Sequence, residues 1–170
     1  KLQIKIGVLG ELFGVARQFA GELAAASENS VVFYEFPQRS ERLKEVSKIQ
    51  VHNLEELEDL WLAYFDEIVA GSEIKNINAT VTDPDGESFD APITRYGLFS
   101  ASYDNKFVTP ASSLNSFKLL AKQPESSITR TLRKHSRSDE YTKVAIDPTR
   151  GFLLSLYLDK PGWFQRIAQG

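Results

Sequence analysis

Leu2, Ile6, Leu9, Phe13, Ala16, Ala20 and Leu23 step by four and three along the start of the chain. That is the a/d seam of a coiled coil or a helical hairpin. A second apolar row, Val8, Leu12, Val15 and Phe19, widens the stripe and predicts a helix covered on more than one side. Gly7, Gly14 and Gly21 fall one heptad apart, with Gly10 between them. Each costs about 1 kcal/mol in a helix interior relative to Ala, so together they predict that another backbone passes close by. The neighbour is either the domain's own core or a second subunit, and both readings require a helix here.

After a polar break, Val31 to Phe36 is short and apolar, and fits either a strand or a helical continuation. Pro37 as a first helical residue, followed by Arg39, Leu43 and Val46, opens a short basic helix. His52 or Asn53 caps the next one, whose apolar face is Leu54, Leu57, Leu60, Trp61, Tyr64, Phe65, Ile68 and Val69. Gly71 ends it as a C′ residue. The opposite face carries Glu55, Glu56, Glu58, Asp59, Asp66 and Glu67 with no Lys or Arg between. Lacking the Gly-bent loop of a calcium site, it reads as a solvated acidic face, with docking of a basic partner as the functional option.

Beyond Glu73 the period changes to two. Ile74, Ile77, Ala79 and Val81 lead into the turn Asp83-Pro84-Asp85-Gly86. Ile93, Tyr96, Leu98, Ser100 and Ser102 continue to a turn at Asp104 to Lys106, and Phe107 and Val108 resume a strand. Leu114 to Leu120 adds one more. The pattern predicts an antiparallel meander of about three to five strands with helices on one face, an α+β domain rather than βαβ repeats. The expected organisation is a single domain over 1–170: 1–71 mainly helical, 72–123 the meander, and 124–170 a basic segment, a strand and a C-terminal helix.

Arg130, Arg133, Lys134 and Arg137 cluster with His135 in an otherwise polar stretch, and Arg130, Lys134 and Arg137 share one helical face. This is either a solvated face or a patch that meets phospholipid headgroups or an acidic partner, each cation contributing about 1 kcal/mol near an anionic surface. Asp147 is placed as an N-cap with Pro148 at the first helical position, ahead of Phe152, Leu153, Leu156 and Tyr157. Trp163, Phe164 and Ile167 then begin a second amphipathic turn. With Arg166 beside them, Trp163 and Phe164 are what a segment approaching a bilayer interface carries.

Composition narrows the function classes. The 170 residues contain no Cys and no Met and carry a net charge of −3. Disulfides and thiolate metal sites are excluded, and general affinity for nucleic acid is disfavoured. No apolar run approaches the roughly 18–20 residues that cross a bilayer. A start at Lys1 without Met reads as an excised or processed piece. His52 and His135 are too few for a His-rich metal site, and Ser136, His135 and Asp139, adjacent along a polar stretch, do not give triad geometry. No cofactor, metal or catalytic residue is expected.

Val144 to Leu156, containing the string Asp147-Pro148-Thr149-Arg150-Gly151, and Trp163 to Gly170 resemble the stretch before the first membrane helix of a subgroup of the MotA/TolQ/ExbB proton-channel family. Leu9 to Gly21 and Arg95 to Ser100 are similar to that subgroup's large periplasmic extension, as in the TtpC component of second-type TonB systems. The resemblance implies a periplasmic domain of a bacterial inner-membrane protein, with its membrane helices after the C-terminal helix. It implies a complex with ExbB/ExbD-like and TonB-like proteins that uses the proton gradient to drive iron-siderophore uptake, with homo-oligomerisation open. The family's proton path lies among membrane helices, so the residues here would supply contacts. Gly7, Gly10, Gly14 and Gly21, together with Arg130, Arg133, Lys134 and Arg137, are the expected interaction surfaces. The alternative is a free-standing ligand-binding or sensory module, which predicts a sizeable apolar cavity.

Overall fold

The heptad stripe folds as one helix, α1 (Leu2–Glu28), 27 residues long. The computed structural model describes residues 2–138 and 140–156; Trp163, Phe164 and Arg166, read as membrane-proximal, lie outside them. Two further helices, α2 (Arg39–Val46) and α3 (Leu54–Gly71), pack against α1. Their shared core is small-sided on α1: Ala16, Ala20, Leu23 and Ala24 meet Leu43 and Val46 of α2 and Leu60 of α3. Asn53, rather than His52, caps α3. Its side chain accepts from the Glu56 amide at 2.9 Å while Glu56 accepts from the Asn53 amide at 2.7 Å, so two orphan N–H groups are satisfied reciprocally. Gly71 is the last residue of α3 and Ser72 its C-cap, so the glycine is not the C′ residue expected.

The strands are β1 (Ile74–Thr82), β2 (Ser88–Tyr96), β3 (Ser100–Tyr103), β4 (Lys106–Ala111) and β5 (Ser116–Leu119). Consecutive strands pair antiparallel, as a meander should. The sheet does not stay open. β5 returns to β1 and pairs parallel with it through Val81 opposite Phe117 and Thr82 opposite Lys118, closing a barrel. With an odd number of strands running up and down, first and last point the same way, so closure must be parallel. Closure removes the exposed edges an open meander would have kept.

A barrel this small has a narrow interior, which explains the alanines facing inward. Ala79, Ala91 and Ala101 line it with Val81, Ile93, Val108 and Phe117. Val31 to Phe36 is neither strand nor α-helix but a turn and a 3-10 turn (Phe33–Glu35). It carries Val31, Val32 and Phe33 into the same core and thus ties the helices to the barrel. Arg95, wholly buried, completes the joint: Nε donates to Glu35 at 2.7 Å and Nη1 to the Ala70 and Gly97 carbonyls. Gly97 sits at φ +58, and a Cβ there would stand 2.7 Å from the Gly71 carbonyl oxygen, so the bend from β2 to β3 requires glycine.

The basic stretch forms α4 (Ser126–Ser136), anchored by Leu132 in a second barrel-side core with Tyr96, Phe107, Leu120 and Leu154. The residues between α4 and the next helix form no strand among those described, against expectation. The last described helix, α5, is short (Phe152–Ser155) and starts after Asp147, not at it. Asp147 is nonetheless the organising residue. Its carboxylate accepts from the backbone N–H groups of Thr149 and Leu154, and its own N–H donates to Ser100 Oγ at 2.8 Å. The Asp147-Pro148-Thr149-Arg150-Gly151 string is therefore a tight knot, with Arg150 and Gly151 left-handed.

Candidate functional site

α3 does not bury the face its sequence advertises. Leu60 and Ala70 are buried and Leu57 and Ala63 partly so, whereas Trp61 (59% exposed), Phe65 (47%), Ile68 (51%) and Leu54 (77%) face outward. At 3.6 residues per turn, the buried stripe is rotated by roughly 100° from the centre of the apolar one. The cause lies on α2. Arg39 reaches Asp66 at 3.1 Å and Glu67 at 3.2 Å, and Arg42 Nε reaches Asp59 at 3.0 Å. Asp59, Asp66 and Glu67, expected on a solvated face, are thus turned toward a neighbouring helix, whereas Glu55 and Glu58 stay exposed as expected. Burial pushes the Glu67 carboxyl above its ordinary pKa, with the Arg39 charge opposing the rise, and Arg39 itself lies over the Phe36 ring at 3.6 Å.

The second apolar row of α1 meets the same fate. Val8, Leu12 and Val15 are 60%, 50% and 64% exposed, so this row, read as covered, is not. Phe19, the next in the row, is half-buried and meets Tyr64 of α3 edge-on with ring centroids 5.4 Å apart. Successive residues of both rows recur at i, i+4 and i+7, so each row follows one side of its helix. Phe19 and Tyr64 are where the two rows touch. Val8, Leu12 and Val15 precede that contact on α1, and Trp61, Phe65 and Ile68 flank it on α3, with the Trp61 and Phe65 rings stacked at 4.8 Å. An unpartnered apolar surface of this kind, rich in aromatics, is what protein contact sites present.

The α1 glycines do not mark a close backbone approach within the domain. A Cβ at Gly7 or Gly10 would meet nothing within 4 Å, at Gly14 only the Arg17 side chain at 3.9 Å, and at Gly21 only the Ser47 side chain at 3.9 Å. The expectation that another backbone passes them is not met by any described residue. Arg130, Arg133 and Lys134 stand exposed on α4 and Arg137 exposed at its C-cap, a basic patch on a different element from the two apolar rows. What sequence reasoning missed was the exposure of these apolar rows. The available signal was Arg39 and Arg42, one turn apart and followed by carboxylates at matching turns of α3.

The other chemical candidates resolve into structural roles. His52 is buried, with Nε2 at 3.0 Å from the Val46 carbonyl and its ring against Phe13. His135 Nδ1 lies 3.0 Å from Thr142 Oγ1, while Ser136 Oγ donates to Asn105 and to the Arg133 carbonyl. Ser136 and His135 therefore form no nucleophile–base pair, and Asp139 lies outside the described residues. A polar cleft of about 460 Å³ beside them is lined by Asn76, Tyr96, Ser102, Asp104 and Asn105. Burial raises the Tyr96 hydroxyl's pKa, opposed by its hydrogen bond to Ser102. Among the described residues no group of His, Cys, Asp and Glu could hold a metal ion, and no helix is long and apolar enough to cross a membrane. Compared with known proteins, the chain matches no family model, no curated protein and no solved structure.

Proposed function

We propose that this chain is the non-catalytic periplasmic domain of an ExbB/TolQ-like energy-transduction protein, supplying protein–protein contacts in TonB-dependent, proton-gradient-driven uptake of iron-siderophore complexes. Its partners are ExbB/ExbD-like and TonB-like proteins, and the inner membrane is reached beyond α5. The reading is supported by the uncovered apolar surface of α1 and α3, where Val8, Leu12, Val15, Trp61, Phe65 and Ile68 stand exposed, which a contact domain needs and a pocket-based receptor does not. The resemblance of the Asp147 to Gly151 string and of Leu9 to Gly21 to the family's periplasmic extension supplies the assignment. A photo-crosslinking residue at position 61 in the full-length protein, expressed in cells, tests the proposal. A covalent adduct with an ExbD-like or TonB-like subunit is expected, and adducts with neither would refute it.

A further inference from the structure

We propose that the polar cleft between the barrel wall and α4 binds a neutral saccharide. This site goes beyond the contact reading above and does not depend on it. Strand register lays down its floor. Asn76 of β1 stands opposite Thr94 of β2, and Thr94 opposite Ser102 of β3. Their chain neighbours Ile77, Ile93 and Ala101 belong to the barrel core, so these three side chains run abreast on the outer face, where all border the cleft. The facing wall is the C-terminal half of α4. Leu132, His135 and Ser136 recur there at i, i+3 and i+4 and share one side of the helix. Asp104 and Asn105 close one end. They form the two-residue turn between β3 and β4, both left-handed at φ 45 and 60, a backbone that Asp and Asn tolerate better than other side chains. The space enclosed is about 460 Å³, within the roughly 300–1,000 Å³ of small-molecule sites.

The polar groups are held in place by the protein itself. Thr94 Oγ1 donates to Asn76 Oδ1 at 2.8 Å, and Ser136 Oγ donates to Asn105 Oδ1 at 2.8 Å. With each Oδ1 engaged, the Nδ2 group is the part of the amide left to donate to a ligand. His135 is fixed likewise: Nδ1 lies 3.0 Å from Thr142 Oγ1 and the ring meets Tyr96 edge-on at 5.7 Å. The buried hydroxyls of Tyr96 and Ser102 share a hydrogen bond of 3.1 Å. Side chains already fixed lower the ordering cost of binding.

Charge selects the ligand class. No Lys or Arg is among the described residues that line the cleft, so an anion would find no counter-charge there. Asp104 is the one carboxylate, and no group of His, Cys, Asp and Glu among the described residues could hold a metal ion. What remains is a set of hydroxyls and amides with one imidazole. Such groups exchange hydrogen bonds with ligand hydroxyls, which donate and accept alike. Ile74, Pro92 and Leu132 add apolar patches between them, matching the C–H face of a sugar ring.

The test is a titration of the purified, nitrogen-15-labelled protein, followed through its backbone and Asn side-chain amide resonances. The probes are D-glucose, N-acetyl-D-glucosamine and maltose. Sodium acetate, magnesium chloride and a blocked trialanine peptide serve as anion, cation and peptide controls. At least one sugar should give saturable shifts centred on Asn76, Thr94, Ser102, Asn105 and His135, and bind at least about tenfold tighter than any control. Asn76→Ala with Asn105→Gly removes both amides and places glycine where the backbone is left-handed. That double variant should weaken sugar binding at least about tenfold, whereas Arg130→Ala, outside the cleft, should leave it unchanged. No saturable shift with any of the three sugars would overturn the inference. So would shifts centred elsewhere, or an equal response to acetate, magnesium or the peptide. The location of the shifts in the unsubstituted protein decides the matter even if the double variant fails to fold.

Discussion

Arg39 of α2 donates to Glu67 of α3 at 3.2 Å, and the second carboxylate oxygen of Glu67 is buried without a partner. The pair is what turns α3: its polar side is held inward by an arginine while aromatic side chains are left outside. Removing Arg39 would strand a buried carboxylate, and breaking such a pair costs about 3–5 kcal/mol. Arg39→Ala should therefore show a large loss of stability in denaturant unfolding at neutral pH. The loss should shrink in acid, where Glu67 can take a proton.

The same carboxylate gives a pH dependence with a definite sign. Its pKa is raised in the folded protein, first by burial, so the protonated form is the one the fold tolerates better. The stability linked to it is fully present below the unfolded-state pKa and is lost as pH rises through the folded one. Glu67→Gln removes that loss. Unfolding midpoints measured from acid to neutral pH should show the variant gaining on the wild type as pH climbs through this window. A constant difference across the range would contradict the assignment.

The glycines divide into two kinds. Gly97→Ala forces a side chain into a left-handed position against the Gly71 carbonyl, and should cost about 1–3 kcal/mol. Gly7→Ala and Gly10→Ala meet open space in a helix, where alanine is favoured by up to about 1 kcal/mol. Thermal unfolding should fall for the first and hold or rise for the other two.

The cap of α3 is testable independently of any partner. Asn53→Ala removes the acceptor for the Glu56 amide and should cost about 1 kcal/mol. His52→Ala probes a different role, loss of a buried side chain packed on Phe13.

Much of this architecture was legible in the chain. The four-and-three spacing from Leu2 to Leu23 gave α1, and the shift to period two after Glu73 gave the strands. Barrel closure was not legible, because it depends on Val81 meeting Phe117 across most of the sheet's length, a pairing no local pattern encodes. Nor was the plug at Val31 to Phe33, since a short apolar run reads alike as strand, helix or turn. The exposure of the α3 aromatics was hidden for a sharper reason. Apolar periodicity on α3 weighs Trp61 and Phe65 as core candidates, whereas the orientation is decided by Arg39 and Arg42 on a different helix. At the C-terminal end, Asp147 was read as an N-cap with Pro148 as the first helical residue, whereas α5 is capped at Gly151 and Asp147 instead accepts from the Thr149 and Leu154 amides. The Ala-lined interior gave no signal beforehand, because alanine is unremarkable until the barrel's width is known.

If the exposed apolar surface of α1 and α3 makes the contacts proposed for this domain, the measurement that bears on it most closely is growth of iron-limited cells on a ferric siderophore, with the full-length protein carrying Leu12→Ser and Trp61→Ser. Both positions are exposed, so the folded domain and its unfolding midpoint should be preserved. Siderophore-dependent growth should be lost while growth on free iron is normal. Unimpaired growth on the siderophore with both substitutions in place would contradict it.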